Sequence, residues 1–290
     1  MLDPIELDRQ YNARAAVPDH PAFIARWRAD SERTRKSLAA EIDVSFGETR
    51  SERLDFIRAG HPGAPLLIFI HGGYWRSLDK SDFSFLAPAF VASNANVAVV
   101  NYGLAPGTSM EEMVRQLLRA VSWLYKNAAA MGFDAQRIVI AGHSAGAHLA
   151  AMMAAAEWEK WDPALPANVV RGIVCISGLY DLQPLAQAPF LKDDIRLDSA
   201  GARKLSPMSY QPRFNVPMVT AVGADESSEF HRQSALIRSA WPSCFRQSIP
   251  MPGRNHFSVV DAFGDPCHPL FQSAVSLLGV EQEVRRRGVG

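Results

Sequence analysis

The stretch Val139–Ala156, VIAGHSAGAHLAAMMAAA, holds one serine between glycines, with a histidine on either side. Gly142-His143-Ser144-Ala145-Gly146 has the form G-x-S-x-G and lies between an apolar run, RIVIAG, and an alanine-rich stretch. The first reads as a strand and the second as a helix. So tight a turn between them puts the serine in strained backbone geometry and projects its Oγ from the C-terminal edge of a sheet. Small residues on either side then avoid clashes. The helix N-terminus faces any negative charge that develops there. An ordinary turn with an incidental serine can share the five letters, but not the strand before them and the small-residue helix after. Ser144 is the candidate nucleophile, and the chemistry is acyl transfer through a covalent intermediate.

Such chemistry needs donors for an oxyanion. In FIHGGYW, Gly72 and Gly73 let the chain turn so that amide N–H groups point at one spot. The N–H of Ala145, next after the serine, supplies another donor. Losing one donor of this kind typically costs about 3–4 kcal/mol. His71 reads as structural, holding the loop by a hydrogen bond. Tyr74 and Trp75 follow directly and are candidates for a substrate-binding wall, with core packing the plainer explanation.

The serine also needs a base. His143 and His148 sit on the turn and its helix, and His148 would lie down the helix rather than over Oγ. Where a serine stands on such a turn, its partners follow in chain order serine, acid, histidine. That leaves His231, His256 and His268. His231 lies in a helical pattern, and His268 is squeezed between Cys267 and Pro269. His256 lies in PMPGRNHFS, a loop after the strand-like CFRQSI, from which an imidazole can swing over the sheet edge. His256 is the candidate base. The acid fixes the imidazole tautomer and stabilises the imidazolium. It should follow PMVTAVG, in GADESSEF, where Asp225 and Glu226 are adjacent and cannot both face one imidazole. The residues leave both open.

These side chains depend on a scaffold. EIDVSF, RLDFIRA, PLLIFI, NVAVVNY, RIVIAG, VVRGIVCIS, PMVTAVG and CFRQSI read as strands. DFSFLAPAFVAS, the long amphipathic SMEEMVRQLLRAVSWLYKNAAAM, AGAHLAAMMAAAEW, SEFHRQSALIRSA and Pro269–Leu278 read as helices. The alternation predicts an α/β class domain with a mostly parallel central sheet and helices on both faces. Residues 5–40 predict an N-terminal helical segment, either a solvated helix or a cap over the site. Residues 180–212, with Pro184, Pro189, Pro207 and Pro212, predict an irregular insertion near the pocket. Phe190, Leu191, Trp158 and Trp161 could line that pocket or simply pack. The whole chain, residues 1–290, is expected to be one domain.

Lys+Arg and Asp+Glu balance at 30 each, so no charge footprint for nucleic acid or an anionic membrane exists. No apolar run reaches the length of a membrane span. The polar start, MLDPIELDRQYNAR, lacks the apolar core of a signal peptide. The three cysteines have no CxxC spacing, which argues against a disulfide framework or a zinc site. A cytoplasmic protein without metal or cofactor is expected.

Together the motifs resemble the kynurenine formamidase (arylformamidase) branch of the α/β-hydrolase superfamily, near the hormone-sensitive-lipase-like esterases. The resemblance runs over nearly the whole chain. It is carried by QYNAR (Gln10–Arg14), HGGYW (His71–Trp75), LAPGTSMEEMV (Leu104–Val114), GHSAGAHLAAM (Gly142–Met152), SGLYDLQPL (Ser177–Leu185), SEFHRQS (Ser228–Ser234) and NHF (Asn255–Phe257). It implies that the acid sits two residues before Ser228, which favours Glu226, although animal members usually carry aspartate. Gly103 also stands where the animal form has an acidic residue. The resemblance implies hydrolysis of N-formyl-L-kynurenine or a related N-acyl arylamine, with a small-molecule substrate and room for a homodimer. The same residues would serve a carboxylesterase acting on short aryl or alkyl esters. A ligand receptor built on this fold is the non-enzymatic alternative.

Overall fold

Strands covered by helices on both faces are apolar throughout, and four segments of this chain meet that demand. In the computed structural model, which describes residues 2–280, eight strands form one sheet. They are β1 (Ala40–Ser45), β2 (Arg53–Ile57), β3 (Ala64–Ile70), β4 (Asn96–Val100), β5 (Phe133–His143), β6 (Gly172–Ile176), β7 (Met218–Gly223) and β8 (Phe245–Met251). Every residue of β3, β4, β6 and β7 is buried. The order is β1-β2-β4-β3-β5-β6-β7-β8, parallel from β4 to β8, with β1 and β2 antiparallel at one end. This is the α/β-hydrolase architecture expected. The expected single domain includes Met1 and residues 281–290, which lie outside the described residues. Among the described residues no helix is long and apolar enough to cross a membrane.

The long helix Met110–Met131 shows how local chemistry bounds an element. Ser109 Oγ accepts the Glu112 N–H at 3.2 Å, and Glu111 and Glu112 favour the positive end of the helix dipole. Gly132, at φ 76°, ends it in the left-handed conformation.

Three expectations need correction. DFSFLAPAFVAS is not one helix. Lys80–Asp82 and Ser84–Leu86 are single 3₁₀ turns, and the α-helix begins only at Ala87, because Pro88 is tolerated in a first turn and not deeper. The helix after Ser144 ends at Ala155, and Trp158–Trp161 forms a separate turn. Residues 5–40 are not one helix either. They divide into Pro4–Tyr11, Ala13–Ala16 and His20–Ser37, and the strand β1 has begun by Ala40. Asn12 makes the first break, its Oδ1 capping the Ala15 N–H at 3.2 Å.

His20–Ser37 packs by its apolar stripe. Trp27 is fully buried against Phe83, Phe85 and Phe257, and its indole N–H donates to Asp261 at 2.9 Å. Pro4–Tyr11 instead lies on the helix Ser228–Ala240. Tyr11 donates to Glu229 at 2.7 Å, and Gln233 donates to the Tyr11 hydroxyl at 3.0 Å. Residues 180–212 are less irregular than expected. They hold the short helices Lys192–Ile195 and Ser199–Lys204, anchored by buried Leu182, Leu191, Ile195 and Leu205.

Candidate active site

β5 delivers Ser144 into a turn that only small neighbours allow. Its φ is 55° and ψ −117°, a conformation rare for a residue with a side chain. The strain is held from both sides. The Ser144 N–H donates to Ile176 O at 2.8 Å, and the Ser144 carbonyl starts the helix Ala145–Ala155. A Cβ on Gly142 would sit 2.2 Å from the Gly146 carbonyl oxygen, and one on Gly146 would sit 2.0 Å from the Ile70 carbonyl oxygen. Both glycines are therefore required by backbone packing. Ser144 Oγ is buried and takes part in no hydrogen bond among the described residues.

The loop after β3 lies against this serine. A Cβ on Gly72 would come within 3.2 Å of Ser144 Cβ. Gly73 has φ 106°, and Tyr74, Trp75 and Leu78 follow at φ 51°, 56° and 71°. Clustered positive φ values in bulky residues are a mark of a site held in shape by its surroundings. Among the described residues no acceptor takes up the amides of Gly72, Gly73 or Ala145. His71 braces the loop. It stacks on Tyr102 at 4.5 Å and lies between the Gly72 carbonyl and Asn101 Oδ1, at 2.8 and 3.0 Å.

His256 is brought to the site on the loop after β8. Its Nδ1 lies 2.6 Å from Glu226 Oε2, and Phe230 covers the ring at 4.5 Å. Of the two adjacent carboxylates, Glu226 faces the imidazole, and Asp225 is exposed to solvent. Glu226 is held in turn. Its Oε1 accepts the Ser177 hydroxyl at 2.5 Å and the Gly223 N–H at 2.7 Å. Ser177 escaped the reading of individual residues. The signal was available, as a serine just past the end of β6, the strand next to the one that carries Ser144.

The remaining histidines have other work. His143 donates from Nε2 to the His256 carbonyl at 2.9 Å, tying the base's loop to the nucleophile's turn. Burial, then the neighbouring His256, holds its pKa well below the usual value, so it is neutral. His148 accepts the Trp75 indole N–H at 3.2 Å and donates to Leu205 O at 2.8 Å. Burial pushes its pKa down to about 4. His231 is exposed, and His268 caps its own helix by accepting the Leu270 N–H.

Tyr74 and Trp75 have the contacts of packed aromatics. Trp75 is fully buried on His148. Tyr74 donates its hydroxyl to the Tyr11 carbonyl and meets Phe190 edge-on at 5.1 Å. Of the other pocket-lining candidates, Trp158 and Leu191 are buried, and the Trp161 indole N–H donates to Ser122 Oγ at 3.0 Å. Phe190 and the N-terminal helix meet over the glycine loop. The Phe190 N–H donates to Asp8 at 3.1 Å, and Arg76 holds the Phe190 carbonyl at 2.6 Å and pairs with Asp194. Ser144 is left 1% exposed and His256 6%.

With this geometry in hand, comparison with known proteins is decisive for kinship. The sequence model of the BD-FAE family matches residues 57–240. Kynurenine formamidase from Danio rerio is 30% identical over 289 residues, spanning 94% of this chain and 96% of its own. The chain belongs to the BD-FAE family, among the kynurenine formamidase-like α/β-hydrolases. Esterase LipQ of Mycobacterium tuberculosis is 30% identical over 232 residues, covering 71% of this chain and 54% of its own. A crystal structure described as that of a "putative thioesterase" from Silicibacter sp. tm1040 superposes with a TM-score of 0.82 at 31% identity, covering 94% of this chain and 99% of that one. The two sequence relatives are hydrolases by name, and the fold is that of the Silicibacter structure.

Proposed function

We propose that this protein is a serine hydrolase that cleaves an aryl formamide, N-formyl-L-kynurenine or a related N-acyl arylamine, through an acyl-enzyme. Ser144 Oγ attacks the carbonyl carbon as His256 takes its proton. The amides of Gly72, Gly73 and Ala145 receive the oxyanion. His256 then protonates the departing arylamine, and a water deprotonated by the same imidazole releases formate. Glu226 holds the proton of His256 on Nδ1, leaving Nε2 free to work on Ser144, and balances the imidazolium charge. The observation that carries the reaction is the Glu226–His256 pair together with a strained Ser144 whose Oγ has no hydrogen-bond partner among the described residues. The formamide substrate is carried over from the near full-length kinship to the Danio rerio enzyme.

A small acyl group suits an enclosed site, and an arylamine leaves more readily than an alkylamine. The same residues would turn over short aryl or alkyl esters, a second reading favoured by the LipQ relative. The ratio of kcat/KM on N-formyl-L-kynurenine to that on p-nitrophenyl acetate separates the two. Ester turnover dominant by orders of magnitude overturns the formamidase reading. Covalent labelling by an organophosphate separates both from a non-catalytic receptor, in which Ser144 would stay unmodified.

A further inference from the structure

Beside the enclosed site, a cleft of about 290 Å³ opens between the N-terminal segment and the loop that follows the glycine pair. Arg14, His20, Ile24 and Arg28 form one wall, and Ser77 and Leu78 the other. The cleft touches both halves of the site. Ser77 Oγ donates to the Gly73 carbonyl at 2.9 Å. The His20 ring stacks on Phe257, the residue after His256, at 5.3 Å.

Arg14 is the unusual member. Its guanidinium is half-buried and donates to Ser77 Oγ at 2.7 Å, and no carboxylate pairs with it among the described residues. Neighbouring cations are paired: Arg28 with Asp82, Arg76 with Asp194, Arg9 with Glu6. Burial, followed by the positive charge of Arg76, pushes the Arg14 pKa down. A half-buried cation without a paired carboxylate is unfavourable until a counter-charge arrives. A guanidinium presents a planar fork of N–H donors, which fits a carboxylate with two parallel bonds. Ile24 and Leu78 add an apolar surface for a ring or chain. The Arg14–Ser77–Gly73 hydrogen bonds lead directly from the cleft to the glycine loop.

We propose that this cleft receives a carboxylate of the substrate on Arg14, so that the enzyme selects anionic acyl arylamines or esters over neutral ones. The proposal rests on the hydrolase reading above. Its test is a pair of substrates differing only in a carboxylate or its neutral carboxamide. One pair is N-formyl-L-kynurenine and its carboxamide, and the other is 3-(4-acetoxyphenyl)propanoate and its amide. The wild-type protein should prefer the acid in each pair it hydrolyses. Arg14→Gln should cut that preference by about 10- to 100-fold in kcat/KM, the range for a charge-assisted hydrogen bond. Arg14→Lys should keep part of it, having the charge without the fork. Arg9→Gln, paired elsewhere, should leave the preference in place.

No wild-type preference, or a preference that survives Arg14→Gln, overturns the proposal. So does an equal loss on both members of a pair, which is what a purely structural arginine would give. Turnover of the ester pair alone sinks the formamidase reading and still tests Arg14. If neither pair is hydrolysed, the hydrolase reading fails. Equilibrium dialysis of 3-(4-hydroxyphenyl)propanoate against its amide then decides the cleft, and equal binding by wild type and Arg14→Gln refutes it.

Discussion

Replacing Glu226 by glutamine removes a charge without changing shape, and the structure dictates how the amide must orient. Oε1 of Glu226 accepts from Ser177 and from the Gly223 N–H, while Oε2 faces His256 Nδ1. The Ser177 hydroxyl can rotate, but the Gly223 amide can only donate. The glutamine oxygen therefore goes to Gly223, and its NH₂ turns to His256. That NH₂ needs an acceptor, so Nδ1 must give up its proton and Nε2 must carry it. The imidazole then cannot take a proton from Ser144. Flipping the amide restores the tautomer but sets NH₂ against the Gly223 N–H, at about 1–3 kcal/mol for a buried unsatisfied donor. Even the flipped form lacks the charge that balances an imidazolium. Loss of tautomer and charge together should lower kcat by about 10³- to 10⁴-fold, or about 4–5.5 kcal/mol. The assay is kcat and kcat/KM on the preferred substrate, with circular dichroism to verify the fold and Asp225→Asn as the control. Glu226→Gln within tenfold of wild type, or Asp225→Asn equally impaired, would refute the reasoning.

Further predictions follow from the same geometry. Ser144→Ala should abolish turnover and leave the melting temperature unchanged or higher, because it deletes a buried hydroxyl with no hydrogen-bond partner among the described residues; a stability loss beyond about 1 kcal/mol would mean an unseen structural role. Gly146→Ala forces a Cβ to within 2.0 Å of the Ile70 carbonyl oxygen. Because backbone must move, it should destabilise by about 3 kcal/mol or more, read from the urea midpoint. Acid should weaken the fold through His148. Burial holds its native pKa near 4, below the ordinary histidine value of about 6.5, so the unfolded chain binds the proton first. Stability is then undiminished above about pH 6.5 and falls as pH drops towards 4, by about 3 kcal/mol from this residue. Urea titrations at pH 7 and pH 5 should show a smaller difference in His148→Gln than in wild type; equal differences would sink the assignment.

How much of this was legible along the chain depended on the range of the signal. The buried strands announce themselves because burial on both faces demands apolar residues without interruption, as in Ala64–Ile70. The turn at Ser144 does so because Gly142 and Gly146 relieve contacts with backbone close by in space, which no other residue can relieve. Elements built from weaker or mixed signals were harder. Pro88 allows a helix to start but says little about where the preceding turns lie, and Asn12 interrupts what periodicity alone makes continuous.

By itself, then, the sequence determined the architecture, the strand-turn-helix around Ser144, the glycine pair that approaches it, and the loop that carries His256. Each is a local demand for a particular size, polarity or backbone freedom. Only the folded chain decided that Glu226 rather than Asp225 meets the imidazole. Neighbouring side chains in a turn point in different directions, and the direction is set when Glu226 N–H closes onto Gly223 O at 3.0 Å. Only the fold showed Ser177 and Gly223 gripping that carboxylate, His143 tying the two loops together, and the N-terminal helix seated over the glycine loop. Apart from the Gly223 contact within one turn, these contacts join residues far apart in the chain, and the Ser177 and His143 contacts exist because adjacent parallel strands end side by side at one edge of the sheet.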